Sequence, residues 1–284
     1  MNLLLWTDDP NQESLLPLYE RLAAMGFDGL ELPIFSGEPE AYSVLGRRLA
    51  DLGLACTAVA VCNGEDDPIS PNAATRNAAR ESLHHAIDCA EAAGAELLGG
   101  PLFAAIGRFS GKGPTQAEWD RSQEVLGNAA DHAEHAGLQL AFEFLNRFEI
   151  YLLNTAEDTT RYVQELGRAN VGVHYDTFHA HIEEKDPGDA IRKTGTALRH
   201  VHIAENDRGT PGTGQVRWDD SFDALAAISY DGWLTIEAFG SALPSLAAAT
   251  KIWRRTFDDE ESLARDGLAF MKDAWGRRKG RGSE

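Results

Sequence analysis

The sequence predicts a single-domain α/β protein whose parallel strands close into a (β/α)8 barrel. Over 284 residues, eight short apolar runs alternate with longer segments of helical period, and no linker divides the chain. No two runs are joined as a hairpin, which favours a parallel sheet, and eight strand–helix units are the number that closes such a barrel. We therefore expect one barrel domain over residues 1–275 and a basic, frayed tail over residues 276–284.

The strands are predicted from the apolar runs. In chain order these are Leu3–Trp6, Gly29–Ile34, Leu54–Cys62, Glu96–Leu102, Leu138–Leu145, Val171–His179, His200–Glu205 and Trp233–Gly240. An open doubly wound sheet is the structural alternative. Such sheets carry a glycine-rich phosphate loop after the first strand, whereas this chain has the segment Thr7–Pro10 there, so the barrel is favoured.

The helices are predicted from the segments of 3.6-residue period between the runs. They cover Glu13–Met25, Glu38–Leu52, Thr75–Ala93, Gln116–His135, Ala156–Leu166, Pro187–Leu198, Ser221–Ile228 and a final stretch from Pro244 to Trp275. Thr155, with Asp158 three residues later, predicts an N-cap for the helix that begins at Ala156. Several helices end next to a glycine, the residue that accepts the left-handed conformation of a helix stop. These glycines are Gly26, Gly53, Gly94, Gly137 and Gly167.

Composition argues against several classes of partner. The chain has 26 Lys and Arg against 45 Asp and Glu, a formal net charge of −19. So acidic a surface repels phosphate backbones and anionic lipids, and we expect neither nucleic acid nor a membrane as partner. The first apolar run is far shorter than the ~20 residues of a membrane helix, which favours a soluble cytoplasmic protein. Cys56, Cys62 and Cys89 show no CxxC spacing and predict buried free thiols.

The last four predicted strands carry polar residues on one face. Their period of two assigns the apolar side to the helix layer and the polar side to the barrel interior. The last inward polar residue of each strand is, in order, Glu143, Asp176, His202 and Glu237. They are about one strand–helix unit apart, so we expect them at one height near the C-terminal mouth, where barrel enzymes keep their active sites.

Three carboxylates and an imidazole would repel one another in a cavity unless a cation lay among them. We therefore predict a divalent metal site, with Mn²⁺ or Mg²⁺ favoured and Co²⁺ as a further option, because a structural zinc site uses more Cys or His. Four separate salt-bridged interior groups are the weaker alternative. His174 and His200, one layer deeper, are expected to be hydrogen-bonded core or supporting residues, and Glu31 is a further inward polar residue.

Four sequence blocks resemble the ketose 3-epimerases, the D-tagatose 3-epimerase and D-psicose 3-epimerase group of the xylose-isomerase-like sugar isomerase/epimerase TIM barrels. The blocks are Phe142–Glu149, Asp176–His179, His202–Gly214 and Ile236–Phe239, and their order and spacing match that group. The resemblance is densest over residues 95–240. It implies a (β/α)8 enzyme of carbohydrate metabolism that acts on a small ketose and assembles as a dimer or tetramer.

The resemblance also implies roles for particular residues. The four inward residues named above would bind one ion similar to Mn²⁺, and Glu143 and Glu237 would also form the acid/base pair. Glu149, His179 and Arg208 would contact the substrate. The strand ends at Trp6 and at residues 32–33 and 103–105 differ from well-known ketohexose enzymes, which leaves the identity of the sugar open.

The implied reaction is epimerisation of a free ketose at C3, by removal of the proton α to the carbonyl and return of a proton from the opposite side through an enediolate. An aldose–ketose isomerase resembling hydroxypyruvate isomerase is the nearest alternative, since it uses the same kind of metal site. A DNA-repair endonuclease of the same barrel type needs more metal-binding histidines and a basic face, while this chain has 9 His. A non-catalytic sugar-binding barrel is the third alternative.

Overall fold

The computed structural model describes residues 1–279 and shows a parallel sheet curled into a barrel inside a layer of helices. Within these residues the sheet has seven strands, each paired in parallel with the next in chain order. The strands are β1 (Gly29–Pro33), β2 (Ala55–Val59), β3 (Leu97–Gly100), β4 (Gln139–Glu143), β5 (Val171–Asp176), β6 (Leu198–Ile203) and β7 (Trp233–Ile236). The prediction of a single-domain TIM barrel is confirmed.

The helices follow the strands as expected. They are α1 (Leu16–Met25), α2 (Pro39–Asp51), α3 (Ala73–Ala93), α4 (Gln116–His135), α5 (Ala156–Leu166), α6 (Thr177–Glu183), α7 (Pro187–Thr194), α8 (Trp218–Ala227), α9 (Pro244–Thr250) and α10 (Glu260–Lys279). Each of the five predicted stop glycines has a positive φ, between 65° at Gly167 and 90° at Gly26. The predicted cap of α5 is also confirmed, since Thr155 Oγ1 accepts the Asp158 N–H at 3.1 Å.

The predicted first strand, Leu3–Trp6, is wrong. Leu3–Leu5 form a short 3₁₀ helix, which begins where the Asn2 side chain accepts the Leu4 N–H at 2.8 Å. The closing segment, Met1–Asn2, takes the place of that strand. Asn2 N donates to Ile236 O of β7, and Glu31 N of β1 donates to Met1 O, both at 2.9 Å. Two residues therefore close the barrel between its last and first strands.

Several other boundaries differ from prediction by a few residues, and two of the differences change the assignment of a segment. The strand predicted over Val171–His179 stops at Asp176, because that carboxylate caps α6 by accepting the Phe178 N–H at 2.7 Å. The final helical stretch is divided into α9 and α10. Helix α10 continues past the predicted domain end at residue 275, so residues 276–279 of the predicted tail are helical, and residues 280–284 lie outside the described residues.

Apolar side chains on the outer face of the strands pack against the helices. Phe142 of β4 contacts Tyr162 of α5 edge-on with ring centroids 5.7 Å apart, and Tyr162 contacts Trp119 of α4 at 5.0 Å. Phe144 and Tyr175 meet at 5.6 Å. Because these residues occupy the outer face of the strands, the inner face is left for polar groups.

The three cysteines are free and buried, as predicted. None of the helices within residues 1–279 combines the length and the apolar character that a bilayer crossing requires.

Candidate active site

The structure brings together the four residues that the strand pattern places at one height. Glu143 and Asp176 end β4 and β5, His202 lies on β6, and Glu237 directly follows β7. One potential ligand atom from each lies within 4.8 Å of the others. All four are buried, with at most 5% of their surface exposed. The cluster therefore lies inside the barrel, at the C-terminal ends of four adjacent strands.

Burial and mutual charge govern the electrostatics of this cluster. Burial raises the pKa of Glu143 against the pull of His202, and the charges of Glu237 and Asp176 raise it further. Burial also raises the pKa of Asp176, although Arg208 opposes the rise. At Glu237 the positive charges of His202 and Arg208 outweigh burial and lower the pKa. The positive charges of His202 and Arg208 thus do not fully compensate the negative charges of the three carboxylates.

The donor set fits a divalent cation. His202 Nδ1 lies 3.3 Å from Glu237 Oε1 and 3.6 Å from Glu143 Oε1, and this buried nitrogen has no hydrogen-bond partner among residues 1–279. Burial is outweighed by the surrounding carboxylates, which raise the pKa of His202, so a cation would bind by displacing the proton from Nδ1. The nitrogen lone pair freed in this way, beside three carboxylates, suits Mn²⁺, Mg²⁺ or Co²⁺. The donor set of the cluster therefore fits one metal ion.

Arg208 contacts two of the four cluster residues, and the sequence did not predict these contacts. Its Nη1 lies 2.7 Å from Asp176 Oδ2 and 2.5 Å from Glu237 Oε2. The guanidinium lies over the rings of Phe178 and Phe239, at 3.9 and 4.8 Å from their centroids. Arg208 has a φ of 60°, in the left-handed region that costs a side-chain-bearing residue energy. The backbone of the loop is thus strained at the residue whose guanidinium enters the site.

His179 and Glu149, the other two predicted substrate contacts, are connected through Asn146. His179 Nδ1 accepts the Asn146 backbone N–H at 3.0 Å, and Asn146 Nδ2 donates to Glu149 Oε1 at 2.7 Å. Burial keeps the pKa of His179 well below its ordinary value. Its Nε2 faces the cluster, 3.6 Å from Asp176 Oδ2 and 3.0 Å from Arg208 Nη2. Because a neutral imidazole accepts at one nitrogen only, the Asn146 and Arg208 donors compete for the lone pair of this ring. Asn146, which lies in the first resembling block, was given no role from the sequence.

Glu205 is a second residue whose role the sequence did not reveal. It is fully buried at the start of the Arg208 loop (residues 204–217), and its carboxylate orders that loop. Its two oxygens accept four N–H groups at 2.9–3.0 Å, from Asn206 N, Gly212 N, Val216 N and Trp218 Nε1. The only sequence signal was the position of Glu205 inside a resembling block.

The deeper histidines form the floor of the cluster. His200 Nε2 lies 2.6 Å from Glu31 Oε2, which agrees with the expectation of a hydrogen-bonded core residue. His174 has no hydrogen-bond partner within the described part of the chain. Its ring instead packs edge-on against His202 and His200, with centroids 4.0 and 4.5 Å away.

A cavity of about 1160 Å³ opens at the opposite, amino-terminal end of the strands. Glu96, Arg199, Tyr230 and Trp233 are among the residues that line it. The proposed metal, catalytic and substrate residues lie elsewhere, at the carboxyl end of the barrel.

Known proteins resemble this chain over nearly its whole length. The family model of the xylose isomerase-like TIM barrel matches residues 19–274. A ketose 3-epimerase from Arthrobacter globiformis is 35% identical over 274 residues, which are 95% of this chain and 94% of the relative. The solved structure of an L-ribulose 3-epimerase has a TM-score of 0.92 at 32% identity, and the match covers 99% of this chain and 95% of that one. A D-allulose 3-epimerase from Methylomonas sp., solved in complex with D-allulose, has a TM-score of 0.90 at 28% identity, with 96% and 95% covered.

Proposed function

This chain belongs to the xylose isomerase-like TIM barrel family, and we propose that it is an isomerase that epimerises a free ketose at C3 with one divalent metal ion. The observation behind the proposal is the convergence of Glu143, Asp176, His202 and Glu237 within 4.8 Å at the barrel mouth. Relatives of near-equal length are named ketose and L-ribulose 3-epimerases, which supports the same reaction class here.

The four converging residues would hold the metal, with Mn²⁺ preferred over Mg²⁺ or Co²⁺. When bound, such an ion acts as a Lewis acid that stabilises negative charge on the carbonyl and hydroxyl oxygens of the ketose. Glu143 and Glu237 project from strands separated by β5 and β6, so their carboxylates approach a bound sugar from different walls. One removes the C3 proton and the other returns a proton to the opposite face, and the roles exchange in the reverse reaction.

Arg208, His179 and Glu149 are assigned to the substrate. His179 Nε2 can form a hydrogen bond with a sugar hydroxyl, and the Arg208 guanidinium adds charge-assisted donors beside it. A single arginine already paired with Asp176 and Glu237 favours an unphosphorylated sugar over a sugar phosphate. We further propose a cytoplasmic enzyme that assembles as a dimer or tetramer, and sedimentation velocity tests the assembly.

Solvent-exchange labelling tests the reaction. We expect that incubation of the Mn²⁺-loaded protein with free tetruloses, ketopentoses and ketohexoses in D₂O places deuterium at C3 of the substrate that is turned over. Label found only at C1 or C2 would contradict C3 epimerisation and identify an aldose–ketose isomerase.

Substitution of the two glutamates tests their roles. Glu143→Gln and Glu237→Gln should each lower kcat by about 10²–10⁴-fold, the contribution of a positioned acid or base, while the fold is retained. Glu124→Gln, at an exposed glutamate paired with Arg80 on the helix layer, is the control and should keep wild-type turnover. Near-wild-type turnover in either active-site variant would refute the assigned acid/base roles.

A further inference from the structure

We propose that Glu31 is a positioning residue, which orients the ring of His202 and so presents its Nδ1 to the metal. This role rests on the proposed metal site, but Glu31 is not one of the four converging residues. It lies in the middle of β1, on the far side of His202 from the other carboxylates, and none of its surface is exposed.

The Glu31 carboxylate is saturated with donors. Its Oε1 lies 3.0 Å from Asn2 Nδ2 and 2.6 Å from His202 Nε2, while its Oε2 lies 2.9 Å from Thr57 Oγ1 and 2.6 Å from His200 Nε2. A carboxylate can only accept hydrogen bonds, so each of these groups must supply a proton. Both oxygens of Glu31 are thus occupied by protein donors, and the proposed role requires no direct contact of Glu31 with metal or sugar.

These contacts determine which nitrogen of His202 can bind a cation. Since Nε2 supplies its proton to Glu31, the lone pair of the neutral ring is on Nδ1. That nitrogen faces Glu237 and Glu143 at 3.3 and 3.6 Å and has no hydrogen-bond partner in the described residues. The opposite tautomer would direct a proton toward the cation position and prevent coordination. A carboxylate behind a ligating histidine also makes the ring more basic.

Glu31 acts on a second cluster residue through the closing segment. Asn2 Nδ2 lies 3.0 Å from Glu31 Oε1 and 3.2 Å from Glu237 Oε1, so one amide group joins the two carboxylates. Glu31 is thereby connected to two of the four candidate ligands, directly to His202 and through Asn2 to Glu237. Loss of its charge and acceptor oxygens should weaken the metal site as a whole.

The affinity for Mn²⁺ in the absence of substrate tests this proposal. Isothermal titration of the full-length, metal-stripped protein should show that Glu31→Met raises the Mn²⁺ Kd about 10- to 100-fold, the usual effect of removing such a supporting group. Glu31→Gln keeps one acceptor oxygen where two are used, so its Kd should fall between those of the wild type and Glu31→Met. Turnover of Glu31→Gln should recover as Mn²⁺ is raised.

Thr57→Val is the matched control. This variant removes a donor to the same buried carboxylate but leaves the contact between Glu31 and His202 intact. Because Thr57 binds the other oxygen of that carboxylate, the Mn²⁺ Kd should remain within about threefold of wild type. Thermal unfolding in EDTA reports whether each variant folds. If Glu31→Met does not fold, the comparison of Glu31→Gln with wild type still tests the proposal.

Three results separate the possible failures. Wild-type Mn²⁺ affinity in a folded Glu31 variant, or equal weakening by Thr57→Val, overturns the positioning role. A wild-type protein that binds Mn²⁺ but does not epimerise ketoses overturns the proposed reaction and leaves the Glu31 comparison valid. A wild-type protein that binds no Mn²⁺ overturns both.

Discussion

Replacing Glu205 by glutamine should release the loop that carries Arg208. Each oxygen of the Glu205 carboxylate accepts two N–H groups: Oε1 from Asn206 N and Val216 N, and Oε2 from Gly212 N and Trp218 Nε1. An amide nitrogen cannot accept, so either orientation of glutamine loses two bonds and leaves two donors facing an NH₂ group. At about 1.5–3 kcal/mol for each bond to a charged group, the loss is about 3–6 kcal/mol.

Urea unfolding together with ketose kinetics measures this effect. Trp218→Phe removes one of the four donors and is the comparison variant, with an expected loss of about 1.5–3 kcal/mol. Where the loop detaches without global unfolding, the free energy of unfolding changes less and KM for the ketose rises, because Arg208 is no longer held in place. A Glu205→Gln protein with unchanged KM and unfolding within about 1 kcal/mol of wild type would refute the reasoning.

The same carboxylate predicts a pH dependence. Burial tends to raise the pKa of Glu205, but the hydrogen bonds from Asn206, Val216, Trp218 and Gly212 outweigh it and lower the pKa below its ordinary 4.5. A carboxyl with a lowered folded pKa stabilises the fold above its unfolded pKa, and this contribution disappears as pH falls through the folded pKa. The stability difference between wild type and Glu205→Gln should therefore be full near neutral pH and shrink below about pH 4.5.

Two helical glycines should respond oppositely to alanine: Gly46→Ala should lose about 1–3 kcal/mol of stability, because its Cβ would lie 2.2 Å from the Ala93 carbonyl oxygen. Gly127→Ala should gain about 0.4–1 kcal/mol, because its nearest neighbour would be Leu166 Cδ1 at 3.7 Å. Thermal unfolding of the pair checks this, and an unaffected Gly46→Ala would contradict the close approach of α2 and α3. Mn²⁺ at 100 times its Kd should stabilise the wild type by about 2.7 kcal/mol. The gain at the same Mn²⁺ concentration should be smaller in Glu143→Gln. A wild-type melting temperature that Mn²⁺ does not change would argue against the metal site.

Local chemistry made much of the fold predictable. The stop glycines and the Thr155 cap depend on neighbouring residues alone, and both were found as predicted. The convergence of Glu143 and His202 could also be anticipated, because the period of two along each strand decides which side chains face the barrel interior. Their proposed chemical roles remain predictions.

Contacts made by segments without a regular period could not be anticipated. A run such as Leu3–Leu5 has the same composition in a strand and in a 3₁₀ helix, and the Asn2 side chain decides between them by capping. Nor does any local pattern indicate that Arg208 would contact Asp176, or that Glu205 would collect donors from its own loop. Such partners depend on how loops cross above the barrel, and sequence periodicity is silent about loops.

The closing segment links completion of the barrel to the geometry of the proposed metal site. Asn2 and Glu237, which are 235 positions apart in sequence, come within hydrogen-bond distance only when the two ends of the sheet meet. An intermediate in which this seam is still open lacks the Asn2 contact to Glu237, which is then held by Ile203 and Arg208. Full affinity of the proposed metal site should consequently appear during refolding only once this seam has closed.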